Sequence, residues 1–485
     1  MVMSKASAWE WIDGNAGKLI GISDRIWDYA ELGLVEERSS KLLADELETV
    51  GYAVERGVAG MPTAFVGAWS NGPGPIIGLM GEFDALPGIS NKKVPRKEPL
   101  REGAPGHGCG HNIHGTTAVG AAIALKQAME KSRVSGTIRV YGAPAEENYD
   151  GKVYLVRAGY FNGVDACLSH HPGSFNTASL SSSTAVNSVK FHYYGKTSHA
   201  AGSPEQGRSA LDAVELMNVG VNYLREHVID KARIHYVIEE GGGQPNVVPD
   251  YARSWYYIRA PERDQLDPIY KRILKIAEGA AMMTETTLKV DFIAGIYNTL
   301  PSRALSEVVV ANMKEVGAPK YTPAEYAFAA EIASSVPRDQ KADGLRNIKL
   351  PEYQRYMDID IVTDILDPWN EGEVSGGSTD VADVSWQTPT MEFGTAAFVL
   401  GAPGHSWQAV ACSGTSMGHK SLIFAAKTMA GTTLDLLTKP ELLAKAKQEH
   451  ARKMEERTYV CPIPPDVQPP LEVAKAAAEK LRGRV

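Results

Sequence analysis

The sequence has few cysteines, no long apolar run and no concentration of basic residues. Its four cysteines, Cys109, Cys167, Cys412 and Cys461, lie far apart and form no CxxC pair. This spacing excludes a disulfide framework and suits a reducing compartment. No uninterrupted apolar segment approaches the roughly 18 residues that a membrane-spanning helix needs. With a formal net charge of -8 and no basic stripe, nucleic acid is not an expected partner.

The N-terminal segment 1–14 lacks the apolar core of a signal peptide, since it contains Glu10 and Asp13. We therefore expect a cytoplasmic protein without membrane contact. Hydrophobic residues make up 44% and charged residues 22% of the 485-residue chain, as in ordinary folded proteins. The length predicts two or three domains rather than a single core.

Residues 1–184 alternate between helical and strand-like patterns. Helices are predicted over Ala6–Leu32, Glu37–Val50 and Gly115–Met129, and strands over Ile76–Met80, Thr137–Tyr141 and Val164–Leu168. This alternation predicts an α/β fold with a central, mostly parallel sheet flanked by helices. Carboxylates or imidazoles follow each strand, and ligands bind beyond the carboxyl ends of strands in such sheets. The pattern therefore predicts one functional site at this edge.

Residues 185–296 have a different rhythm. Four strand-like segments and two amphipathic helices follow in the order β-α-β-β-α-β, with a Gly-rich stretch at Gly241–Gly243 between the middle strands. This order is that of a ferredoxin-like unit. We therefore predict an inserted domain at 185–296 within a discontinuous domain formed by 1–184 and 297–485.

The C-terminal part returns to a mixed α/β pattern with fewer clear signals. A long polar segment covers Val336–Gly377, a helix is predicted over Leu422–Leu437, and a Pro-rich tail surrounds Cys461–Pro470. We find no internal repeats and no low-complexity tract.

The string Gly106–His114 contains His107, Cys109, His111 and His114 within eight residues. A thiolate and an imidazole two residues apart, on a loop with glycines before a helix, are able to face one cation. Cys and His are ligands that Zn²⁺ and neighbouring transition metals favour. A structural loop with surface histidines and a buried thiol is the alternative for any one residue. The cluster of four favours a metal site.

Two further pairs follow predicted strands, namely Glu146-Glu147 after Pro144 and His170-His171 after Ser169. Adjacent side chains diverge, so one glutamate is able to bind a metal while its neighbour takes a proton from a bound water. A solvated helix start is the alternative for the glutamate pair. One imidazole of the second pair is a candidate ligand, and its neighbour is packed or exposed.

The C-terminal part offers two histidines that could complete the ligand set, His405 in Gly404-His405-Ser406 and His419 in Gly418-His419-Lys420. Asp84, four residues beyond the first buried strand, is a candidate for orienting a ligating imidazole. Its alternative use is a helix cap or a turn. The residues alone do not choose among these possibilities.

Three residues of the predicted insertion are candidates for substrate contact, namely His199 in a polar turn, Asn246, and Arg259. A guanidinium is the natural two-pronged partner of a substrate carboxylate. An ordinary surface ion pair is the alternative for Arg259. A basic loop over 91–106 could attract anionic substrates, and its alternative is a solvated loop.

Taken together, these strings resemble the aminoacylase and glutamate-carboxypeptidase type of metallopeptidase. They are most similar to the branch of p-aminobenzoyl-glutamate hydrolases, auxin-conjugate amidohydrolases and related N-acyl-amino-acid hydrolases, over nearly the whole chain. The supporting strings are Gly81–Pro87, Cys109–Asn112, Pro144–Glu147, Val164–His171, Ser198–Ala200, Asn246–Asp250 and Cys461–Val467. Glu82 and Asn112 depart from the pattern, since many relatives have Asp at both positions.

The resemblance implies a two-metal site and a role for individual residues. Two divalent ions, Zn²⁺ or Mn²⁺, would be held by Cys109, His111, Glu147, His171 and His405. Glu146 would be the general base. His199, contributed by a partner subunit, would steady the tetrahedral intermediate, and Asn246 with Arg259 would hold the substrate carboxylate. The inserted domain would form the dimer contact.

The predicted activity is hydrolysis of the amide bond of a small N-acyl or N-aroyl amino acid. A dipeptidase or a deacylase of aliphatic N-acyl amino acids is the alternative within the same chemistry. A catalytically silent binding subunit of a heteromeric hydrolase is the alternative of another class. The expected assembly is a homodimer or a pair with a homologous partner subunit.

Overall fold

The computed structural model describes residues 2–482 and contains ten strands in two sheets. The strands are β1 (Ala53–Arg56), β2 (Phe65–Ser70), β3 (Ile76–Gly81), β4 (Thr137–Gly142), β5 (Ala166–Gly173), β6 (Ala185–Tyr194), β7 (Arg233–Glu240), β8 (Tyr251–Ala260), β9 (Thr287–Ile296) and β10 (Thr390–Ala396). Within the described residues, no helix is both long and apolar enough to cross a lipid bilayer.

Fifteen α-helices surround and connect these strands in the part of the chain described. They are α1 (Val2–Gly14), α2 (Ala16–Tyr29), α3 (Glu37–Thr49), α4 (His111–Ser132), α5 (Gly151–Arg157), α6 (Ala210–Leu224), α7 (Arg263–Thr284), α8 (Arg303–Val316), α9 (Pro323–Ser334), α10 (Arg338–Asn347), α11 (Val381–Ser385), α12 (Trp407–Ser413), α13 (Ser416–Thr438), α14 (Pro440–Met454) and α15 (Leu471–Arg482). Short 3₁₀ helices lie at Val58–Gly60, Pro204–Gln206, Arg225–His227 and Tyr353–Tyr356.

The central sheet has the strand order β1-β2-β4-β3-β5-β10. Strands β4, β3, β5 and β10 run parallel, and β2 pairs in the antiparallel sense with β1 and β4. Successive side chains of a strand point to opposite faces. Accordingly, Leu79 of β3 and Leu168 of β5 enter the core under α4 and α13, whereas Met80 and Cys167 enter the core under α5 and α11. The predicted mostly parallel sheet flanked by helices is confirmed.

The second sheet is antiparallel, with the order β7-β8-β6-β9. All four strands come from residues 185–296, and the order is that of the predicted ferredoxin-like unit. Helices α6 and α7 cover one face of this sheet, where they bury Val189, Phe191 and Tyr256. The division of the chain into separate folding domains stays a prediction.

The prediction of one continuous helix over Ala6–Leu32 is wrong. The segment Ala6–Leu32 contains two helices, α1 and α2, which separate at Asn15. The side-chain amide of Asn15 donates to the carbonyl of Trp11 at 2.8 Å, and its backbone N–H donates to the same oxygen at 3.0 Å. Asparagine competes with the helix for such bonds, and the adjacent Gly14 and Gly17 disfavour helix.

Several element bounds also differ from the prediction. Helix α4 begins at His111 rather than Gly115, so the candidate ligand lies in its first turn. Strand β5 continues to Gly173 because it pairs with β10 as far as that residue. His170 and His171 therefore lie within the strand. The polar segment Val336–Gly377 contains helix α10, which was not predicted. Only two of its residues, Lys341 and Leu345, are buried, so its sequence shows no apolar face.

Helix α4 packs closely against the end of β3, and Gly115 makes this contact possible. A Cβ at position 115 would lie 2.6 Å from the carbonyl oxygen of Glu82. Replacement of Gly115 by Ala is expected to lower the free energy of unfolding by about 1–3 kcal/mol, because helix and strand must separate.

Gly21 is a matched control in helix α2, since a Cβ there meets nothing within 4 Å. Gly21→Ala is expected to stabilise the fold by about 0.4–1 kcal/mol, because alanine lowers the conformational entropy of the unfolded chain. Thermal and urea denaturation of both variants check this. Equal stability changes in the two variants would contradict the close approach.

Candidate metal centre

The parallel strands of the central sheet bring the predicted site residues to one edge. Strands β3, β4, β5 and β10 all end there. The side chains delivered at this edge are Glu82 and Asp84 after β3, Glu146 and Glu147 after β4, His170 and His171 in β5, and His405 after β10. This convergence follows from strand direction, as expected for a parallel sheet.

Cys109 lies at the centre of the cluster. Its Sγ is 3.2 Å from Nε2 of His171 and 3.5 Å from Nε2 of His405. Nε2 of His405 is in turn 3.5 Å from Oε2 of Glu147. Two groups of candidate ligand atoms share Cys109, one with His111 and His171 and the other with Glu147 and His405. Within each group the atoms lie within 4.8 Å of one another.

Asp84 holds two of these candidates in place. Its Oδ1 lies 2.8 Å from Nδ1 of His111, and its Oδ2 accepts from the backbone N–H of Glu147 at 3.0 Å. Because a carboxylate only accepts hydrogen bonds, Nδ1 carries a proton, and Nε2 is the nitrogen of the neutral His111 imidazole that is able to bind a metal. These contacts have the geometry of a carboxylate that orients a metal-binding imidazole.

The backbone around the cluster adopts conformations that few residues tolerate. Gly110, between Cys109 and His111, has φ of 80°, and a Cβ there would lie 3.0 Å from Pro172. Ala145, directly before the glutamate pair, has φ of 62°, and His405 has φ of 52°. Positive φ in a residue with a side chain costs free energy and is concentrated at functional sites.

The buried carboxylate of Glu36 supports the strained turn at Ala145. Its Oε1 accepts from the backbone N–H of Ala145 at 2.9 Å, and its Oε2 accepts from Oγ1 of Thr63 at 2.9 Å. The first bond satisfies the backbone N–H of Ala145, which lies beyond the end of β4 and has no partner in the sheet. Glu36 thereby fixes where the glutamate pair leaves β4.

Two members of the four-residue cluster near Cys109 face away from it. Nε2 of His107 lies 3.0 Å from the carbonyl oxygen of Ile26, to which it donates. Nδ1 of His114 accepts from the N–H of Glu82, so its Nε2 carries the proton and lies 3.1 Å from Oγ of Ser169. Of the four residues in this string, Cys109 and His111 present their candidate ligand atoms to the groups that share Cys109, as predicted, and His107 and His114 do not.

The remaining histidine alternatives are also resolved by position. Nε2 of His170 lies 2.7 Å from Oγ1 of Thr395 on β10, within the sheet interior. His171, on the opposite side of the strand, reaches Cys109. His419 bonds Asp24 at 3.1 Å, whereas His405 reaches Cys109 and Glu147. Of the two C-terminal candidates, the structure brings His405 to the cluster.

The buried atoms of the cluster fit a cation. Nε2 of His111, Oε1 of Glu147 and Oε2 of Glu82 have no hydrogen-bond partner within the described chain. Burial raises the pKa of Glu147 to about 7, and burial together with the charge of Glu147 raises the pKa of the Cys109 thiol. Both groups bind a metal when ionised, and a bound cation lowers both pKa values.

Glu146 lines a cleft of about 500 Å³ that opens between the cluster and the second sheet. One of its oxygens lies within 4.8 Å of candidate ligand atoms of His111 and Glu82. Burial, followed by the charges of Glu82 and Glu147, holds the pKa of Glu146 well above its usual range. A carboxylate beside the cluster with a raised pKa has the properties of a general base.

Arg259 lies on the wall of the cleft opposite the cluster. Residues 257 and 259 of β8 face the cleft because residues 256 and 258 face helices α6 and α7. The guanidinium donates to Oγ of Ser378 at 2.8 Å and lies 5.5 Å above the ring of Tyr257. Its hydrogen-bond partners in the described chain are the neutral groups of Ser378 and His235. It is therefore free to pair with a carboxylate.

His199 and Asn246 are not brought to this cleft within one chain. Both side chains are exposed, and the two loops meet where the N–H of Ala200 donates to the carbonyl of Asn246 at 3.0 Å. Nδ1 of His199 accepts from the backbone N–H of Gly202 at 3.0 Å. The pair lies on the surface of the second sheet's unit, so any role at a metal centre requires another chain.

Sequence reasoning missed a second group of charges behind the cluster, Glu82, Lys152, Asp380 and Glu392. The side chains of Glu82, Lys152 and Asp380 are at most 1% exposed. Burial raises the pKa of Glu392 to about 7. The only sequence signal was that Glu82 follows a buried strand two residues before Asp84. Nothing in the pattern around Lys152 or Asp380 indicates that they are buried.

The basic loop 91–106 does not line the cleft. Its Lys92 and Arg96 pair with Glu98 in the same loop, and Lys93 pairs with Asp24 at 2.7 Å. The ammonium of Lys93 also lies over the ring of Trp27. These contacts fasten the loop to helix α2 and favour the alternative of a solvated loop.

Comparison with known proteins agrees with this geometry. The model of peptidase family M20/M25/M40 matches residues 78–413. One of the subunits of the p-aminobenzoyl-glutamate hydrolase of Escherichia coli (strain K12) is 40% identical over 471 residues, covering 94% of this chain and 97% of that protein. The Xaa-Arg dipeptidase of Mus musculus is 29% identical over 467 residues, covering 93% of each protein.

Among solved structures, the aminobenzoyl-glutamate utilization protein of Klebsiella pneumoniae has the same fold. Its TM-score is 0.61 at 20% identity, and the match covers 88% of this chain and 97% of that chain. The family match covers most of the chain, and the Escherichia coli relative aligns over nearly its full length. Both findings confirm the resemblance predicted from the sequence motifs, and the chain belongs to peptidase family M20/M25/M40.

Proposed function

We propose that the chain is a two-metal hydrolase that cleaves the amide bond of N-acyl or N-aroyl amino acids of the p-aminobenzoyl-glutamate kind. The observation that carries this proposal is the position of Glu146 beside two groups of candidate ligands that share Cys109. Arg259 on the opposite wall supplies a partner for a substrate carboxylate. The Escherichia coli relative, by its name, belongs to a hydrolase of p-aminobenzoyl-glutamate.

The proposed ligands are Cys109, His111, Glu147, His171 and His405, a donor set that suits Zn²⁺ or Mn²⁺. When bound, such ions supply Lewis acidity that acidifies water and polarises a carbonyl. Glu146 takes the proton from the attacking water and returns it to the leaving nitrogen. Arg259 holds the substrate carboxylate, and its bond to Ser378 sets the direction of the guanidinium.

We propose a dimer in which His199 and Asn246 complete the cleft of the partner. Strand β7 is an edge strand with unpaired backbone groups, and its Val237 and Ile238 are 56% and 45% exposed. Tyr223 of the adjacent α6 is 76% exposed. An edge strand with exposed apolar side chains is a surface for pairing with another chain.

A second copy of this chain is the proposed occupant of that edge, since the cleft lacks His199 and Asn246 without it. A homologous subunit is the other outcome, because the Escherichia coli relative is named as a subunit. Size measurement of the purified chain and a search for a bound homologue distinguish the two. The silent-subunit alternative is disfavoured by Glu146 beside a complete set of candidate ligands.

Replacement of Asp84 by Asn is expected to lower metal affinity by about 10–100-fold, because Asn has one acceptor oxygen where Asp84 uses two, one for the imidazole of His111 and one for the backbone N–H of Glu147. Competition with a coloured chelator measures the affinity. Asp24→Asn is the matched control, since Asp24 also bonds a histidine, His419, away from the cluster. Wild-type affinity in Asp84→Asn would exclude this assignment.

Replacement of Glu146 by Gln is expected to lower turnover by at least about 10²–10⁴-fold while metal content stays normal, because only the proton acceptor is lost. The assay is a hydrolysis screen with p-aminobenzoyl-glutamate, indole-acetyl amino acids, aliphatic N-acyl amino acids and dipeptides on metal-loaded protein. Near-normal rates in the variant would exclude Glu146 as the base. Turnover of dipeptides alone would favour the dipeptidase alternative.

Mixing of two inactive variants tests the contribution from the partner. Coexpressed Glu146→Gln and His199→Ala chains are expected to recover about a quarter of wild-type activity, since half of randomly formed dimers contain one intact site. Each variant alone should be nearly inactive and folded, as judged by circular dichroism. A mixture as inactive as its parents would show that His199 does not act across the interface.

A further inference from the structure

Lys152, on helix α5, is a fully buried lysine next to the metal centre. Its Nζ lies 2.6 Å from Oε1 of Glu82 and 2.6 Å from Oδ1 of Asp380, and its side chain is 0% exposed. Its backbone N–H also donates to Oδ2 of Asp380 at 2.8 Å. Lysine is almost never fully buried unless it is paired. These contacts satisfy the ammonium group with two carboxylates.

The three charges join separate segments that all reach the cleft. Glu82 lies two residues before Asp84, and Asp380 lies two residues after Ser378, the hydrogen-bond partner of Arg259. Lys152 belongs to the helix that follows the glutamate pair. A single ammonium group therefore holds together the β3 end, the loop at 378 and the start of α5.

Close backbone packing fixes where Lys152 stands. A Cβ at Gly151 would lie 2.0 Å from the carbonyl oxygen of Pro144, so no other residue fits there without movement. Helix α5 consequently begins directly against the turn that carries Glu146. The position of the ammonium relative to the cluster is set by backbone contact and not by side-chain flexibility alone.

Glu82 connects Lys152 to the metal centre, because its two carboxylate oxygens contact different residues. While Oε1 is held by Lys152, Oε2 lies 3.0 Å from Nε2 of His111. In the neutral imidazole, Nδ1 of His111 donates to Asp84, so the free lone pair of its Nε2 faces Oε2 of Glu82 at that distance. The Nε2–H of His114 lies 3.5 Å from the same oxygen. The contact of Oε2 with Nε2 of His111 is favourable only with a cation or a proton between them. Oε2 is therefore aimed at the place where His111 presents its free nitrogen.

A buried ion pair is not needed for stability, since apolar residues of similar volume often give an equally stable fold. We propose that Lys152 is a positioning residue, which fixes the carboxylate of Glu82 so that Oε2 and His111 Nε2 are presented together to one divalent ion. Glu82 is thereby added to the five ligands proposed above. This inference rests on the proposed two-metal function. Lys152 itself touches neither substrate nor metal in this arrangement.

The first test replaces Lys152 by Met and measures Zn²⁺ affinity by chelator competition and the visible absorption of the Co²⁺-loaded protein. Affinity is expected to fall about 10–100-fold, as for loss of a partner behind a ligand, with a changed Co²⁺ spectrum. Lys5→Met is the matched control. The side chain of Lys5 is 10% exposed, and its ammonium pairs with Glu315 and Asp435 at 2.7 Å each, away from the cleft, so its loss should lower thermal stability only.

A double-mutant cycle separates positioning from a general structural role. If Lys152 acts through Glu82, the Lys152→Met/Glu82→Gln chain should bind Zn²⁺ as weakly as Glu82→Gln alone. The double variant removes the charge of Glu82 together with that of Lys152, and Asp380 keeps the backbone N–H of residue 152 as a donor. It therefore leaves less uncompensated buried charge than Lys152→Met and serves for the comparison if that variant fails to fold.

Three results would overturn the inference. They are wild-type affinity in Lys152→Met, wild-type affinity in Glu82→Gln, and a double variant whose affinity falls below that of Glu82→Gln. Failure of the wild-type chain to bind two metal ions per site would instead contradict the proposed function, so the two failures are distinguishable.

Discussion

The structure depends on the burial of several acidic groups at one edge of a parallel sheet. Glu82, Asp84, Glu146, Glu147 and Cys109 converge there, and burial of unpaired charge is costly. Within the chain, Lys152 offsets part of this charge, and the imidazoles lower the pKa of Glu82 against the effect of its burial. Burial raises the pKa values of Glu146, Glu147 and Cys109, so these groups ionise at neutral pH only where a positive charge compensates them.

Backbone geometry explains how so many charges reach one place. Strand direction supplies the common edge, and close approaches at Gly110 and Gly115 bring helix α4 against it. The positive φ of Ala145 and His405 turns the chain where the glutamates and the last imidazole must enter. Such strain persists only when the surroundings hold it, which the bond from Ala145 to Glu36 illustrates.

The sequence predicted those features that have a periodic or clustered signal. The buried strands β3, β4 and β5 and the second sheet follow from apolar patterns, and Cys109 and His111 follow from their spacing. Strands β1, β2 and β10 were not predicted, and β1 has only four residues, most of them exposed. His107 and His114 share the string of Cys109, but their tautomers and partners, which separate them from the cluster, are set by tertiary contacts. Burial of Lys152 depends on long-range packing that no local pattern contains.

The two faces of the second sheet and its edge at β7 make different contacts, because side chains alternate between the faces along each strand. One face is closed by α6 and α7, so Tyr256 and Ile258 are committed to the core. The opposite face must then carry residues 257 and 259, which places Arg259 in the cleft without any loop. The free edge at β7 remains open to pairing. Strand β8, which carries Arg259, pairs directly with β7, so a single strand pair separates the cleft from that edge.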